Sequence, residues 1–189
     1  MTITQSLKVS ILLAIFSTLS GCASNKATIV EQRMAVLTMR DQVVSELFAI
    51  KPSVQSQIGQ AAGYAVFDNA NVNLLIAIFG GGYGVVKDNT TGQQTYMKMA
   101  EAGLGLGAGV KDFRAVFIFH NKDVLKRFVD QGWAFGAQAD AAAKAGDKGA
   151  AIGGEVTVDN ITIYQLTKSG LALQATVKGT KYWKDDNLN

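Results

Sequence analysis

Few side chains in this sequence of 189 residues could carry chemistry on their own. There is one cysteine, Cys22, and one histidine, His120, so a zinc site built from several cysteines or histidines is excluded by count. No G-x-S-x-G nucleophile motif is present, and His120 follows an apolar run, where a structural histidine is more common than a catalyst. The remaining candidates are aspartates scattered through predicted turns, helix ends and loops: Asp68, Asp88, Asp112, Asp123, Asp140, Asp147 and Asp159.

These carboxylates cannot be paired across a cleft from the sequence alone. Oxygen ligands of this kind would suffice for magnesium or calcium, but we identify no set of metal ligands among them. We therefore find no catalytic constellation and predict a protein that is not an enzyme and needs no cofactor.

Cys22 ends an N-terminal segment that is typical of export signals. Lys8 precedes the apolar run Val9 to Phe16, which is too short to span a bilayer, and small residues follow. The exit Leu19-Ser20-Gly21-Cys22 resembles the bacterial lipobox, in which the cysteine thiol accepts a diacylglyceryl group before cleavage. The alternatives are an ordinary secretory signal with an incidental cysteine, or a buried thiol.

The lipobox predicts how the chain begins after processing. Residues 1–21 would be a lipoprotein signal peptide, Cys22 the lipidated N-terminus with fatty acyl chains such as palmitate, and residues 22–29 a tether. Two or three acyl chains give durable membrane anchoring. Ala23 stands where an aspartate commonly retains such lipoproteins at the inner membrane, so the resemblance implies a lipid-anchored protein of the outer membrane, facing the periplasm.

The composition fits one folded domain rather than a disordered chain. Hydrophobic residues make up 48% of the sequence, and 18 basic against 15 acidic residues give a net charge of +3. That balance is too even for electrostatically driven nucleic-acid binding, so no nucleic-acid partner is expected. Acidic surfaces remain possible partners.

The chain opens with helical patterns. Residues from Ser24 to Ile50 are spaced as an amphipathic helix that ends before Pro52, and a short second helix is predicted from Ser53 to Ala62, closing at Gly63. The long helix is interpreted as a core element, with a surface helix that docks on lipid as the alternative. Its predicted buried stripe comprises Val30, Met34, Leu37, Val44, Leu47 and Phe48.

From Tyr64 the pattern changes to β-branched and aromatic runs separated by turn residues. One helix, from Asn121 to Asp130, is inserted among these strands, with Asn121 as its candidate N-cap and an apolar side formed by Val124, Leu125, Phe128 and Val129. The tract from Ala139 to Gly154 is interpreted as a loop. The fold class is α+β: N-terminal helices followed by a predominantly antiparallel sheet, either open or closed as a barrel. The predicted strands are Tyr64 to Phe67, Asn73 to Phe79, Gly82 to Val86, Gln94 to Met99, Ala102 to Val110, Arg114 to His120, Val156 to Leu166 and Leu171 to Lys178.

Two glycine-rich stretches invite a functional interpretation. The glycines between Phe79 and Gly84 match neither the dinucleotide fingerprint nor the phosphate loop, so a strand bend with closely approaching backbones is favoured. In the other stretch every second residue is glycine, so one face of the predicted strand has almost no side chains. These residues are Gly103, Gly105, Gly107 and Gly109. This face is either a packing surface or a groove for an acyl chain.

Five motifs follow one another along the chain: Ala61 to Phe67, Phe79 to Val85, Leu104 to Gly109, Phe135 to Ala137 and Ser169 to Leu171. Their order and spacing resemble the SYLF-domain family, with similarity from about Val30 to Lys184 and residues 185–189 as a C-terminal tail. The resemblance implies a lipid-binding domain: eukaryotic members bind phosphoinositides and some bind actin, whereas bacterial members are often exported lipoproteins.

The family's basic N-terminal segment is close to charge-neutral here, so the expected lipid contacts move to the basic C-terminus. Lysines near an anionic surface contribute about 1 kcal/mol each, and tryptophan favours the interfacial zone. The alternative is a solvated tail with its tryptophan packed on the domain. The predicted lipid-binding residues are Lys168, Lys178, Lys181, Trp183 and Lys184.

The sequence thus predicts a non-enzymatic envelope lipoprotein whose domain binds anionic phospholipid or a membrane surface. The alternative function is a structural or adaptor role in which the domain binds another envelope protein. A hydrolase that uses His120 has the least support.

Overall fold

A computed structural model describes residues 27–69, 81–101, 114–134, 155–167, 170–171 and 180–189. The predicted strands Asn73 to Phe79 and Ala102 to Val110, the loop from Ala139 to Gly154, and Cys22 lie outside the described residues. Within the described part of the chain, none of the helices combines the length and apolar character that crossing a bilayer requires.

The first helix, α1, spans Ile29–Ile50 and begins at a capping box. The Thr28 side chain accepts the backbone N–H of Glu31 at 3.2 Å, and the Glu31 carboxylate accepts the backbone N–H of Thr28 at 2.7 Å. Because Thr28 is extended and its side chain satisfies a free helical N–H, the helix starts there. The predicted start at Ser24 was therefore wrong.

Two shorter helices agree more closely with the sequence pattern. Helix α2 spans Ser53–Gln60, and Gly63, predicted to close it, is instead the first residue of a strand. Helix α3 spans Lys122–Gln131, with Asn121 as its N-cap accepting the backbone N–H of Val124 at 2.9 Å. The inserted helix and its cap are thereby confirmed.

The described strands are β1 (Gly63–Asp68), β2 (Gly81–Asp88), β3 (Gln94–Glu101), β4 (Arg114–Phe119), β5 (Trp133–Ala134), β6 (Glu155–Val158), β7 (Ile161–Thr167), β8 (Gly170–Leu171) and β9 (Thr180–Lys184). They form one antiparallel sheet in the order β5-β9-β3-β2-β1-β4-β7-β6, with β8 paired to β7. This confirms the α+β class. The described strands form an open path from β5 to β6, so closure into a barrel is not seen among them.

Helices cover both faces of this sheet, so its central strands are buried on both sides. Every residue of β1 is buried, as are five of the six in β4. On one face, here called the α3 face, α3 packs on a cluster that includes Phe67, Phe117 and Tyr182. On the other, the α1 face, α1 and α2 pack on a cluster that includes Val66, Val116 and Tyr164.

The segment predicted as one strand from Val156 to Leu166 is two strands, which corrects the sequence prediction. Asp159 and Asn160 both have positive φ, at 49° and 60°. Val158 pairs with Ile161 across them. Two consecutive left-handed residues form the tight turn that matches the twist of paired strands, and Asp and Asn tolerate this conformation better than other non-glycine residues.

The C-terminus is part of the sheet rather than a basic tail. Strand β9 lies between β5 and β3, and Tyr182 is fully buried in the α3-face cluster. Beyond it, Leu188 is buried in the α1-face cluster. The Asn189 side chain pairs with the backbone of Tyr96, accepting its N–H at 2.9 Å and donating to its carbonyl at 2.8 Å. The last five residues, predicted as a tail, therefore pack on the domain.

Close packing explains the described glycines of the first glycine-rich stretch. A Cβ on Gly84 would overlap the Phe67 ring and the Val66 carbonyl, and one on Gly82 would overlap the Asp68 carbonyl and the Met99 side chain. At these two positions the interpretation as a close backbone approach is confirmed. The alternating glycines from Gly103 to Gly109 lie outside the described residues.

Candidate functional site

Helix α1 carries two apolar stripes, and only one of them is the core stripe. Val36, Val43 and Leu47 are almost fully buried against the sheet. The predicted stripe shares Leu47 but is otherwise displaced by one residue, with Leu37 in place of Val36 and Val44 in place of Val43, which is roughly 100° around the helix axis. Of its members Leu47 is buried, while Leu37, Val44 and Phe48 are partly buried and Val30 and Met34 are exposed. The predicted stripe was therefore wrong for all but Leu47 as a description of the buried core.

The exposed apolar side chains gather at the start of α1. Ile29, Val30 and Met34, here called the α1 tip, are 51%, 64% and 62% exposed. Large apolar side chains on a surface indicate a contact surface when they cluster. The second apolar stripe was the signal in the sequence, because a helix that packs on one sheet face needs only one.

Polar contacts fix the helix beneath this tip. The Arg33 Nε donates to the Leu188 carbonyl at 2.8 Å, and its guanidinium lies 5.6 Å from the centre of the Tyr96 ring. The Thr28 backbone N–H lowers the pKa of Glu31, whose carboxylate closes the capping box. Among the residues that the structure describes at this end of α1, the one basic side chain, Arg33, is thus engaged with the protein, and the exposed side chains of the tip are apolar.

The structure separates the predicted lipid-binding residues of the C-terminus. Lys168 and Lys178 lie outside the described residues. Successive residues of a strand project to opposite faces, so Lys181 and Trp183 lie on the α1 face, opposite Tyr182 and Lys184. The Lys184 Nζ lies 3.4 Å from the Asp130 carboxylate of α3. The predicted basic cluster is therefore not one surface.

His120 sits at the end of β4 in a chain of hydroxyl contacts. Its Nε2 lies 2.8 Å from the Thr162 hydroxyl, which in turn lies 3.0 Å from the Thr157 hydroxyl. Within the described ranges there is no group of three or more His, Cys, Asp or Glu side chains that could hold a metal ion. The contacts of His120 fit the structural role that its position in the sequence favours.

Known proteins resemble this chain in both sequence and domain content. Residues 100–189 match the family model Ysc84, described as a Las17-binding protein and actin regulator. Over 164 residues, which are 87% of this chain, the sequence is 37% identical to Beta cell expansion factor A of Aeromonas veronii. The aligned region is 61% of that protein, so the chain spans about three fifths of the length of this relative.

Proposed function

Because the chain belongs to the SYLF-domain family, we propose that it is a non-enzymatic envelope lipoprotein whose domain binds anionic phospholipid at the membrane that holds Cys22. The observation that carries the proposal is the α1 tip, with three exposed apolar side chains at the start of the domain. Burial of such side chains in a bilayer interface stabilises association by up to about 1.5 to 3 kcal/mol each.

The position of the tip along the chain supports this arrangement. Six residues separate Cys22 from Ile29, and an extended chain spans at most about 3.6 Å per residue. A lipidated Cys22 would therefore keep the tip within roughly 25 Å of the bilayer. Both elements would then act on the same membrane, which raises the effective concentration of the tip at its surface.

Basic residues supply the preference for anionic lipid in this proposal. Without residues 1–21 the chain keeps 17 of its 18 basic residues and all 15 acidic ones, because only Lys8 is lost, and the net charge is +2. Lys181 and Lys184 are both exposed on β9. The expected preference for acidic vesicles is modest and weakens with added salt.

Vesicle flotation tests the domain without its anchor. A chain starting at Ala23 keeps every described helix and strand, and we expect it to float with phosphatidylglycerol vesicles more than with phosphatidylcholine vesicles. The double substitution Val30→Ser and Met34→Ser should abolish most of the recovery. Ile50→Ser is the matched control, because Ile50 is an exposed apolar residue at the other end of α1, 43% exposed.

Two outcomes contradict the proposal. Equal recovery with neutral and acidic vesicles would count against headgroup binding, and unchanged recovery of the double variant would count against the tip. The anchor is tested separately, by mass spectrometry of the native N-terminus: an unmodified Cys22 thiol, or a chain that starts upstream of it, overturns the lipoprotein assignment and the outer-membrane location with it.

A second candidate function is binding of another envelope protein, as a structural or adaptor component. It is favoured by the description of the matching family model, which names a protein that binds a protein. Crosslinking in cells distinguishes the two: one stoichiometric protein partner, captured equally by the wild type and the Val30→Ser, Met34→Ser variant, would favour the adaptor role.

A further inference from the structure

A groove of about 420 Å³ lies between α3, the β2–β3 hairpin and the end of β9. It is on the α3 face, away from α1. Its volume is in the range of sites that bind small molecules. The groove has an apolar part and a charged part. Val86, Leu125 and Val129 form the apolar part, and the charged part comprises Lys122, Lys126, Lys184, Asp88, Asp123 and Asp130.

Two of the lysines meet on one carboxylate. The Lys126 Nζ lies 2.5 Å from one Asp130 oxygen, and the Lys184 Nζ lies 3.4 Å from the other. The three side chains come from a helix and a strand that are 54 residues apart between Asp130 and Lys184. The hydrogen bond from Lys126 lowers the pKa of Asp130, which keeps this carboxylate ionised.

Helix stability alone does not favour this arrangement. Asp130 is in the last turn of α3, where the helix dipole disfavours a negative charge. The order of the pair, with the lysine four residues before the acid, is also the less stabilising of the two orders. The Asp130 carboxylate instead holds the ammonium groups of Lys126 and Lys184 close enough together for one anion to contact both.

The other end of the groove has a cation that no described group neutralises directly. Asp88 accepts the backbone N–H groups of Thr90 and Thr91, at 2.7 and 2.9 Å, so that carboxylate is committed to the hairpin turn. Among the described residues, the Lys122 ammonium has no hydrogen-bond or ion-pair partner. It acts on Asp88 only through the longer-range field that contributes to the lowered pKa of that aspartate.

We infer that this groove binds a phosphate group, which takes the place of the Asp130 carboxylate between Lys126 and Lys184. Phosphate is favoured over carboxylate because lysines bind phosphate as point charges, whereas the planar fork that matches a carboxylate belongs to arginine. Among the described residues, the lining has three lysines and no arginine.

The apolar part of the groove lies beside these cations and suits the neutral portion of the ligand, such as glycerol and the first carbons of an acyl chain. The inference rests on the proposed function, since it assigns the phospholipid headgroup to a particular site. A soluble phosphate ester offers the same chemistry, and the experiment separates the two sources.

The test measures flotation with phosphatidylglycerol vesicles and, separately, binding of sn-glycerol 3-phosphate by calorimetry, using the chain that starts at Ala23. Lys126→Gln and Lys184→Gln should each weaken binding about fivefold, the change expected from one ammonium contact near an anionic surface. Asp130→Asn should strengthen binding about fivefold, because it removes the competing carboxylate.

Two matched variants exclude a general effect of charge. Asp186→Asn makes the same change in net charge as Asp130→Asn at an exposed position outside the groove, and Lys87→Gln removes a lysine from β2 on the opposite face. Both should bind like the wild type. Tight binding of glycerol phosphate together with weak flotation would identify a soluble ester as the source, and the reverse would identify the lipid.

The inference is overturned if Asp130→Asn binds no better than Asp186→Asn in either assay, or if the two groove lysine variants match Lys87→Gln. Such a result leaves the proposed function standing as long as the wild type still floats with acidic vesicles. If the Val30→Ser, Met34→Ser variant loses flotation while the groove variants float like the wild type, the membrane contact lies at the α1 tip and not in the groove.

Discussion

The two faces of the sheet are buried by different means. On the α3 face, a helix of 10 residues covers a cluster of aromatic rings, in which Phe117 lies 5.1 Å from Tyr182 and 5.7 Å from Phe67, centre to centre. On the α1 face, a helix of 22 residues packs its aliphatic side chains on a cluster that includes buried tyrosines, and the ion pair of Glu46 with Arg114 joins this helix to the sheet. Helix α2 adds a polar contact on the same face, since Gln57 accepts a hydrogen bond from the Tyr164 hydroxyl at 2.8 Å.

On each face, the residues that stabilise the fold are therefore different from the residues that form a candidate binding surface. On the α3 face the buried aromatic rings lie under a short helix. Because this helix covers only part of the face, the groove beside it stays open. The long helix extends to an end that presents the α1 tip to solvent. Each face thereby combines a packed core with one exposed feature, and the two features lie on opposite sides of the sheet.

The largest expected effect is a cavity in the aromatic cluster. Phe117→Ala should lower the free energy of unfolding by about 3 to 5 kcal/mol, because a large buried ring is lost from a tightly packed site. Its neighbour Val116 is equally buried but faces α1, and Val116→Ala should cost about 2 kcal/mol. Urea unfolding measures both, and a larger loss for Val116→Ala would contradict the aromatic face as the stronger core.

The next effect is a loss of stability at alkaline pH, which originates on the α1 face. Burial, with a contribution from the negative charge of Asp68, raises the pKa of Tyr83 from 10.0 to about 12. The folded state therefore binds this proton more tightly. Its contribution is fully present below pH 10 and is lost as the pH rises from 10 to 12, by roughly 2 to 3 kcal/mol.

Tyr83→Phe should remove that alkaline loss. Among the described residues the buried Tyr83 hydroxyl has no hydrogen-bond partner, so the substitution should also stabilise the protein at neutral pH by about 1 kcal/mol. Thermal unfolding measured at pH 8 and pH 11 checks both statements. A variant that loses as much stability as the wild type between these values would assign the alkaline loss to another group.

A smaller effect compares glycines on the two sides of the sheet. Gly84→Ala should cost about 1 to 3 kcal/mol, because the added methyl overlaps the Phe67 ring and the Val66 carbonyl. Gly59→Ala, in α2, has nothing within 4 Å of the new methyl and should stabilise the helix by about 0.5 to 1 kcal/mol. Chemical denaturation measures the change in the free energy of unfolding for each variant. Changes of opposite sign would support the close approach at Gly84, and changes of the same sign would contradict it.

The smallest effect is the ion pair that fixes α1 to β4. The two terminal guanidinium nitrogens of Arg114 both contact the Glu46 carboxylate, one of them at 2.9 Å. The Arg114 side chain is 21% exposed and the Glu46 side chain 37%. A double-mutant cycle with Glu46→Gln and Arg114→Gln should give a coupling of about 0.5 to 1 kcal/mol that declines with salt. A coupling of zero would show that this ion pair does not help to hold α1 on the sheet.

Local chemistry made several features predictable. Asn121 predicted the cap of α3, and the apolar spacing of Val124, Leu125 and Phe128 predicted its buried side, because both signals act within one helical turn. The hairpin turn after Asp88 was likewise predictable, since its Asp, Asn, Thr and Gly residues satisfy one another's backbone groups. The resemblance to the SYLF-domain family, confirmed by the comparisons, depended on the order of such motifs.

Other features depended on which surfaces meet. The apolar residues of α1 form two stripes, and the sequence could not show which one the sheet would cover. The lysines of β9 were interpreted as a basic terminus, so the strand was not predicted, nor was the burial of the Tyr182 ring in the aromatic cluster. The meeting of Lys126, Asp130 and Lys184 requires a helix and a strand brought together by the topology.

The sequence by itself therefore determined the cap of α3, the turn after Asp88, the antiparallel α+β class and the shortage of catalytic side chains, because each of these is set by residue types or by neighbours a few positions apart. The tertiary structure decided which apolar stripe is buried, which lysines share a groove and which stand on opposite faces. Those outcomes follow from the register and order of strands distant in the chain, where a shift of one residue moves every side chain to the other face.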